Sequence, residues 1–156
     1  MKKIYLILVV MIGFGVNVNA QKAYASKAQL AQGVFQIMKN FPSTNKNGFV
    51  AHFIPVIPAL QTLQSQASAF NVSRADHESI YDEIKDFTWK ESVIWQDVTF
   101  SKSDFSNFPE KATNITFNRG SITVKQRHGP DVGIGYSYYE HNGKFYVWFI
   151  RGVGFM

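Results

Sequence analysis

VGIGYSYYEHNGKFYVWFIR, residues Val132–Arg151, decides the fold. Asn142-Gly143 is the dipeptide that a two-residue type I′ turn requires, because both central residues take φ > 0. The flanks are rich in aromatic and β-branched residues, which suit a pleated, packed surface. The stretch therefore reads as a β-hairpin. A two-residue loop sets His141 opposite Lys144, Tyr139 opposite Tyr146, Ser137 opposite Trp148 and Gly135 opposite Ile150. Side chains alternate between faces along a strand. One face then carries Ile134, Tyr136, Tyr138, Phe145, Val147 and Phe149; the other carries Gly133, Gly135, Ser137, Tyr139, Tyr146, Trp148 and Ile150. Neither face is polar, so both are covered or one lines a cavity. Glycines inside a strand mark a bend or a close approach by another group. Either Trp148 and Ile150 fill the space over the glycines, or a curved sheet leaves an aromatic pocket. The expected ligand-binding set is Gly133, Gly135, Ser137, Tyr139, Tyr146 and Trp148.

Upstream, the second half of the chain keeps a period of two. Trp89–Phe100 alternates Val93, Trp95 and Asp97 against Ile94, Gln96 and Val98, which predicts a strand with a possible bulge. Ser101–Thr113, with Pro109, reads as a polar loop. Asn114–Asn118, a turn at Arg119-Gly120 and Ser121–Arg127 predict a second hairpin, with Ile115, Phe117, Ile122 and Val124 inward. His128-Gly129-Pro130-Asp131 turns the chain into the last hairpin, and Gly152–Met156 reads as a short tail.

The first half is helical. Leu30, Val34, Ile37, Met38 and Phe41 recur at helical spacing over Lys22–Asn40, although Gly33 costs about 1 kcal/mol relative to alanine. Phe41-Pro42 ends that helix, Ser43–Gly48 reads as a polar loop and Phe49–Ile57 as an irregular apolar turn. Pro58 suits the start of a second helix through about Phe70. Ser73-Arg74-Ala75-Asp76 has the form of a capping box with Asp at the fourth position, and predicts a third helix over about Arg74–Phe87.

Residues 1–20 have the layout of a secretory signal peptide. Lys2-Lys3 is the basic start, Ile4–Val16 the apolar run, and Val18-Asn19-Ala20 places small residues where cleavage before Gln21 needs them. The run is short for a membrane span. Residues 21–156 fit a single α+β domain that can bury roughly two-thirds of its unfolded surface. The chain has no cysteine, so neither a disulfide nor a thiol nucleophile is available and stability must come from an apolar core. Between Gln21 and Ala75 there is no Asp or Glu against five bases, whereas eleven acids meet nine bases from Asp76 onward. This mild basic bias is not a nucleic-acid signature, no RRM motif occurs, and export argues against an RNA partner.

Segregated helices followed by antiparallel strands give an α+β fold, with N-terminal helices packed on a curved antiparallel sheet of four to five strands. That element order, with the long aromatic last hairpin NGKFYVWFIRG, resembles the cystatin-like/NTF2-like group of folds. The resemblance implies a cone whose interior can hold a small molecule. Some members are isomerases or dehydratases, and others are partner-binding or dimerising modules. An enzyme of this kind would need an acid or base inside the cone and a polar partner for developing charge. Asp97 is the carboxylate candidate, with Tyr136 or Tyr139 as hydrogen-bond donor.

The remaining chemistry is sparse. His52, His77, His128 and His141 are not in metal-ligand spacing, so no metal site and no cofactor is expected. Gly133-Ile134-Gly135 lacks the third glycine of a dinucleotide loop. Asn71-Val72-Ser73 and Asn114-Ile115-Thr116 are glycosylation sequons in a eukaryotic host only, and the short lysine-led signal looks bacterial. Arg119, Lys125 and Arg127 form a basic patch for a protein partner. The expectation is a secreted or periplasmic binding domain, for a protein partner or a small apolar ligand in the concave sheet face, with homodimerisation through an apolar face as an option. The alternative is a cone-fold enzyme using Asp97.

Overall fold

A computed structural model describes residues 21–55, 72–106, 109–112 and 115–156. The fold is α+β: helices pack on one face of an antiparallel sheet. Helix α1 spans Lys27–Lys39 and buries Leu30, Ala31, Val34, Phe35, Ile37 and Met38. It starts after Lys22 because Ser26 caps it, its Oγ accepting from the Gln29 N–H at 3.2 Å. The residues before the cap are drawn away as an extended segment. Tyr24 exchanges both backbone hydrogen bonds with Phe145, each 2.9 Å.

A 3-10 turn, Phe41–Ser43, follows α1, and helix α2 spans Lys46–Ala51. The segment expected to be loop becomes helix because Asn45 is an N-cap, its Oδ1 accepting from the Gly48 N–H at 2.8 Å. Burial of Phe49 and Val50 then holds one and a half turns against the core. The helix expected at Pro58–Phe70 lies outside the described residues. Helix α3 spans Arg74–Lys90 and starts at the capping box. Ser73 Oγ accepts from the Asp76 N–H at 3.2 Å, and Asp76 Oδ2 accepts from the Ser73 N–H at 2.7 Å. Asp is thus long enough to close the box that Glu or Gln normally closes.

The strand expected over Trp89–Phe100 is not formed. Its first two residues complete α3, Ser92 takes φ 52°, and Trp95–Asp97 is a 3-10 turn. A helix end followed by a tight turn buries Val93 and Trp95 while leaving Ile94 and Gln96 out, and so mimics a period of two. Strand β1 begins only at Thr99 and runs to Phe105; β2 is Glu110–Ala112. Both pair with the same edge of β3, Ile115–Lys125, so the segment expected as a loop is largely sheet. Strand β3 is continuous through Arg119-Gly120, where a turn was expected. Gly120 faces Tyr136 of β4, Val132–His141. Because there is no turn, parity sends Ile115 and Phe117 to the face opposite Ile122 and Val124.

The glycine is needed there for space rather than for turning. A Cβ on Gly120 would lie 2.6 Å from Cζ of the fully buried Tyr136 ring, whereas a Cβ on Gly135 would meet only Arg151 Cβ at 3.8 Å. Gly120→Ala is therefore expected to lose about 1–3 kcal/mol through overpacking, and Gly135→Ala less than about 1 kcal/mol. Urea unfolding of the two variants checks this. The reverse order would mean that the strand register is wrong.

Strands β4 and β5 (Lys144–Phe155) form the predicted hairpin, with Asn142 at φ 51° and Gly143 at φ 70°. The predicted register holds near the turn, for His141–Lys144 and Tyr139–Tyr146. It then slips twice. Ser137 pairs with Phe149, not Trp148, and Gly135 with Gly152, not Ile150. Each bulge adds one β5 residue, Trp148 and then Arg151, and re-aims the side chains beyond it. Ile150 consequently turns into the main core beside Val147, and β5 continues through the expected tail to Phe155. Sheet order is β1-β3-β4-β5, with β2 beside β3. The main core lies between the helices and Ile122, Val124, Ile134, Tyr136, Tyr138 and Ile150. A second cluster, Ile115, Phe117, Tyr139 and Trp148, sits on the opposite face.

Candidate functional site

The residues expected to line a sheet-face pocket divide into two groups. Tyr139 and Trp148 are buried in the second cluster. Tyr139 stacks on the half-buried Tyr146 at 4.9 Å and 7°, and Trp148 meets Phe117 edge-on at 5.4 Å. These rings fill the space among themselves. Gly133, Gly135 and Ser137 are half-buried further along β4, and Met156 Sδ covers Gly133. Trp148 therefore does not pack over the glycines as the unslipped register implied.

The three expected catalytic groups do not converge. Asp97 is exposed on the 3-10 turn, Tyr136 is buried in the main core, and Tyr139 is buried on the other side of the sheet. Burial pushes both tyrosine hydroxyls well above the usual tyrosine range. The Tyr136 hydroxyl finds no hydrogen-bond partner among the described residues, whereas Tyr139 donates to Gln21 Oε1. Asp97 instead lines a shallow hollow of about 320 Å³ with Lys125 and Arg127, two of the expected partner-binding bases. The third, Arg119, lines a separate hollow of about 360 Å³ beside Asp104. The described residues contain no group of three or more His, Asp or Glu that could hold a metal ion.

A larger concavity lies elsewhere. A groove of about 620 Å³ runs along the outer side of α1, between the extended N-terminal segment and β1. Its volume falls within the range of small-molecule sites. Tyr24 and Phe100 supply aromatic surface, Gln32 and Gln36 project amides from α1, and Lys22 and His52 are the other ionisable groups lining it. Local sequence explains each placement. The backbone bridge to Phe145 holds Tyr24 down, and its ring lies directly on Gly33, where any side chain would collide with it. Gln32 and Gln36 are one turn apart and share a face. Phe100 follows the 3-10 turn and packs edge-on against Phe35 of α1 at 5.8 Å. Lys22 Nζ sits 5.4 Å from the Tyr24 ring centre. Burial raises the Tyr24 hydroxyl and lowers His52, so both are neutral near pH 7. Lys22 is then the one lining side chain among the described residues that carries charge.

Such a wall can stack a flat apolar group, hydrogen-bond its edge through amides and attract a negative charge at one end. Sequence reasoning missed it because glutamines on the polar side of a helix look like ordinary solvated residues. The available signal was Gly33, a helix-weakening residue with no local need for one. Gly33→Ala gains about 1 kcal/mol of helix propensity but must displace the Tyr24 ring. It is expected to be destabilising overall, by about 1–2 kcal/mol, and a thermal melt against wild type checks this. A stabilised variant would show that Tyr24 does not rest there. No protein-family model matches the chain, and neither a curated protein nor a solved structure matches it significantly.

Proposed function

We propose that this chain is an exported binding domain of the bacterial envelope or exterior, cleaved after Ala20, which holds a small ligand in the groove beside α1. The cystatin-like/NTF2-like resemblance belongs to the same proposal: helices on a curved sheet used for binding. The observation that carries it is the Tyr24 ring laid on Gly33 as the floor of the 620 Å³ groove, with Gln32 and Gln36 on its wall. The ligand suited to that wall is flat and mainly apolar, with hydroxyl or amide groups on one edge and at most one negative charge, to meet Lys22. A catalytic role is less well supported, because Asp97, Tyr136 and Tyr139 lie apart.

Native mass spectrometry of the mature protein, isolated gently from its own host, tests the proposal. The expected result is a co-purifying small molecule that is lost from Ala28→Trp, a substitution on the exposed groove wall. A ligand retained by Ala28→Trp would place the site elsewhere. A second reading, a protein partner, is favoured by the exposure of Arg119, Lys125 and Arg127. It would appear in the same spectra as a stoichiometric complex that Lys125→Glu/Arg127→Glu abolishes. A homodimer insensitive to those changes would instead indicate self-association through another face.

A further inference from the structure

We propose that Gln21 is a modification site closed by folding: the native mature protein keeps it as an open-chain glutamine, and only the unfolded chain converts it to pyroglutamate. This rests on the export reading, in which cleavage after Ala20 leaves Gln21 at the N-terminus. In the cyclisation, the α-amino nitrogen attacks Cδ and a five-membered lactam forms. The Cδ–Nε2 bond breaks, and Nε2 leaves as ammonia with a proton from the attacking amine. No co-reactant is consumed, so an N-terminal glutamine ordinarily drifts to this end point.

The fold holds the same amide by both of its ends. Gln21 is 5% exposed, unusual for a glutamine. Its Oε1 accepts from the Tyr139 hydroxyl on β4, and its Nε2 donates to the Val147 carbonyl on β5 at 2.6 Å. The leaving nitrogen is therefore a buried donor. Its loss would strip Val147 of a partner and disturb the acceptor of a fully buried hydroxyl, both costly inside a protein. Three residues on, the paired Tyr24–Phe145 bonds pin the chain to β5, so that a cyclising enzyme would have to peel this segment off the sheet edge. Folding and cyclisation thus compete for one amide.

The test expresses the full chain in an exporting bacterium and follows the intact mass of the processed protein, native and in urea, at one temperature. The expected mature chain begins at Gln21 with its full mass and loses ammonia at least about tenfold more slowly native than unfolded. Tyr139→Phe, which removes the donor to Oε1, should accelerate the native reaction several-fold. If that variant does not fold, the native and urea rates of the wild type decide the matter alone. Equal rates, or a native protein already lighter by one ammonia, overturn the inference and leave the cleavage assignment standing. A chain that begins elsewhere overturns both.

Discussion

Acidification from about pH 7 to about pH 4 is expected to cost the fold about 3 kcal/mol through His77 alone. This side chain is 4% exposed on the inner side of α3. Its ring stacks on Phe53 at 5.0 Å and 6° and meets Phe149 edge-on at 5.3 Å, and Nδ1 finds no hydrogen-bond partner among the described residues. Burial lowers its pKa from 6.5 to about 4, and the neighbouring Asp76 carboxylate only partly opposes this. The folded value lies below the unfolded one, so the unfolded chain takes up the proton first as pH falls. The contribution is complete above pH 6.5, declines through the interval down to about 4 and is lost below it. At 1.36 kcal/mol per pH unit, that interval gives the 3 kcal/mol. Urea midpoints at a series of pH values measure it, and His77→Phe should flatten the dependence. His52, also lowered by burial, adds a loss of the same sign, which His52→Gln would isolate. Asp76 acts in a different window: hydrogen bonds from Ser73 hold its carboxyl below 3.8, so its contribution disappears only at more acid pH. A His77→Phe protein with the wild-type slope would show that the imidazole is solvated.

The parts of this fold that could be read from sequence are those fixed by near neighbours. Asn142-Gly143 demands positive φ and supplies it, and Ser73 to Asp76 closes a box within one helical turn, so the last hairpin and the start of α3 stand where predicted. The failures share a cause, which is that distant side chains settled an ambiguous local signal. Arg119-Gly120 has turn chemistry, but Gly120 is there to admit the Tyr136 ring from the next strand. The slips at Trp148 and Arg151 leave no mark in a run of aromatic residues, yet they decide which residues reach the main core. For the candidate site, Tyr139, Tyr146 and Trp148 of the expected sheet-face set come together, but the cluster is closed by its own rings. The groove needs Tyr24, Gly33 and Phe100, which are far apart in sequence and brought together by the Tyr24–Phe145 bridge. No periodicity encodes that. Gln21 shows the same limit, since its burial depends on Tyr139 and Val147 across more than a hundred residues.

Trp95→Ala is expected to be more damaging still, at about 3–5 kcal/mol, the usual cost of deleting a buried indole. Trp95 is fully buried, yet it belongs to a 3-10 turn of only three residues, which has little backbone bonding of its own. What holds the turn is the side chain. Its indole N–H donates to Thr88 Oγ1 at 2.7 Å, and that hydroxyl donates on to the Ile84 carbonyl at 2.6 Å, which ties the turn to the last part of α3. Trp95→Phe keeps most of the packing and removes the donor, so it should lose about 1–2 kcal/mol less the packing recovered elsewhere. The difference between the two variants separates the cavity from the hydrogen bond, and Thr88→Val together with the Trp95→Phe/Thr88→Val double variant closes a cycle with wild type and Trp95→Phe. Urea unfolding gives all of these values; Trp95→Ala within about 1 kcal/mol of wild type would mean that the turn is held by something else. The consequence reaches the proposed site, because this turn delivers β1 and places Phe100 against Phe35 as the far wall of the groove. Trp95→Ala should therefore weaken ligand retention in conditions where the protein is still folded, while Trp89→Ala, at the end of α3 and 79% exposed, should leave both stability and retention unchanged.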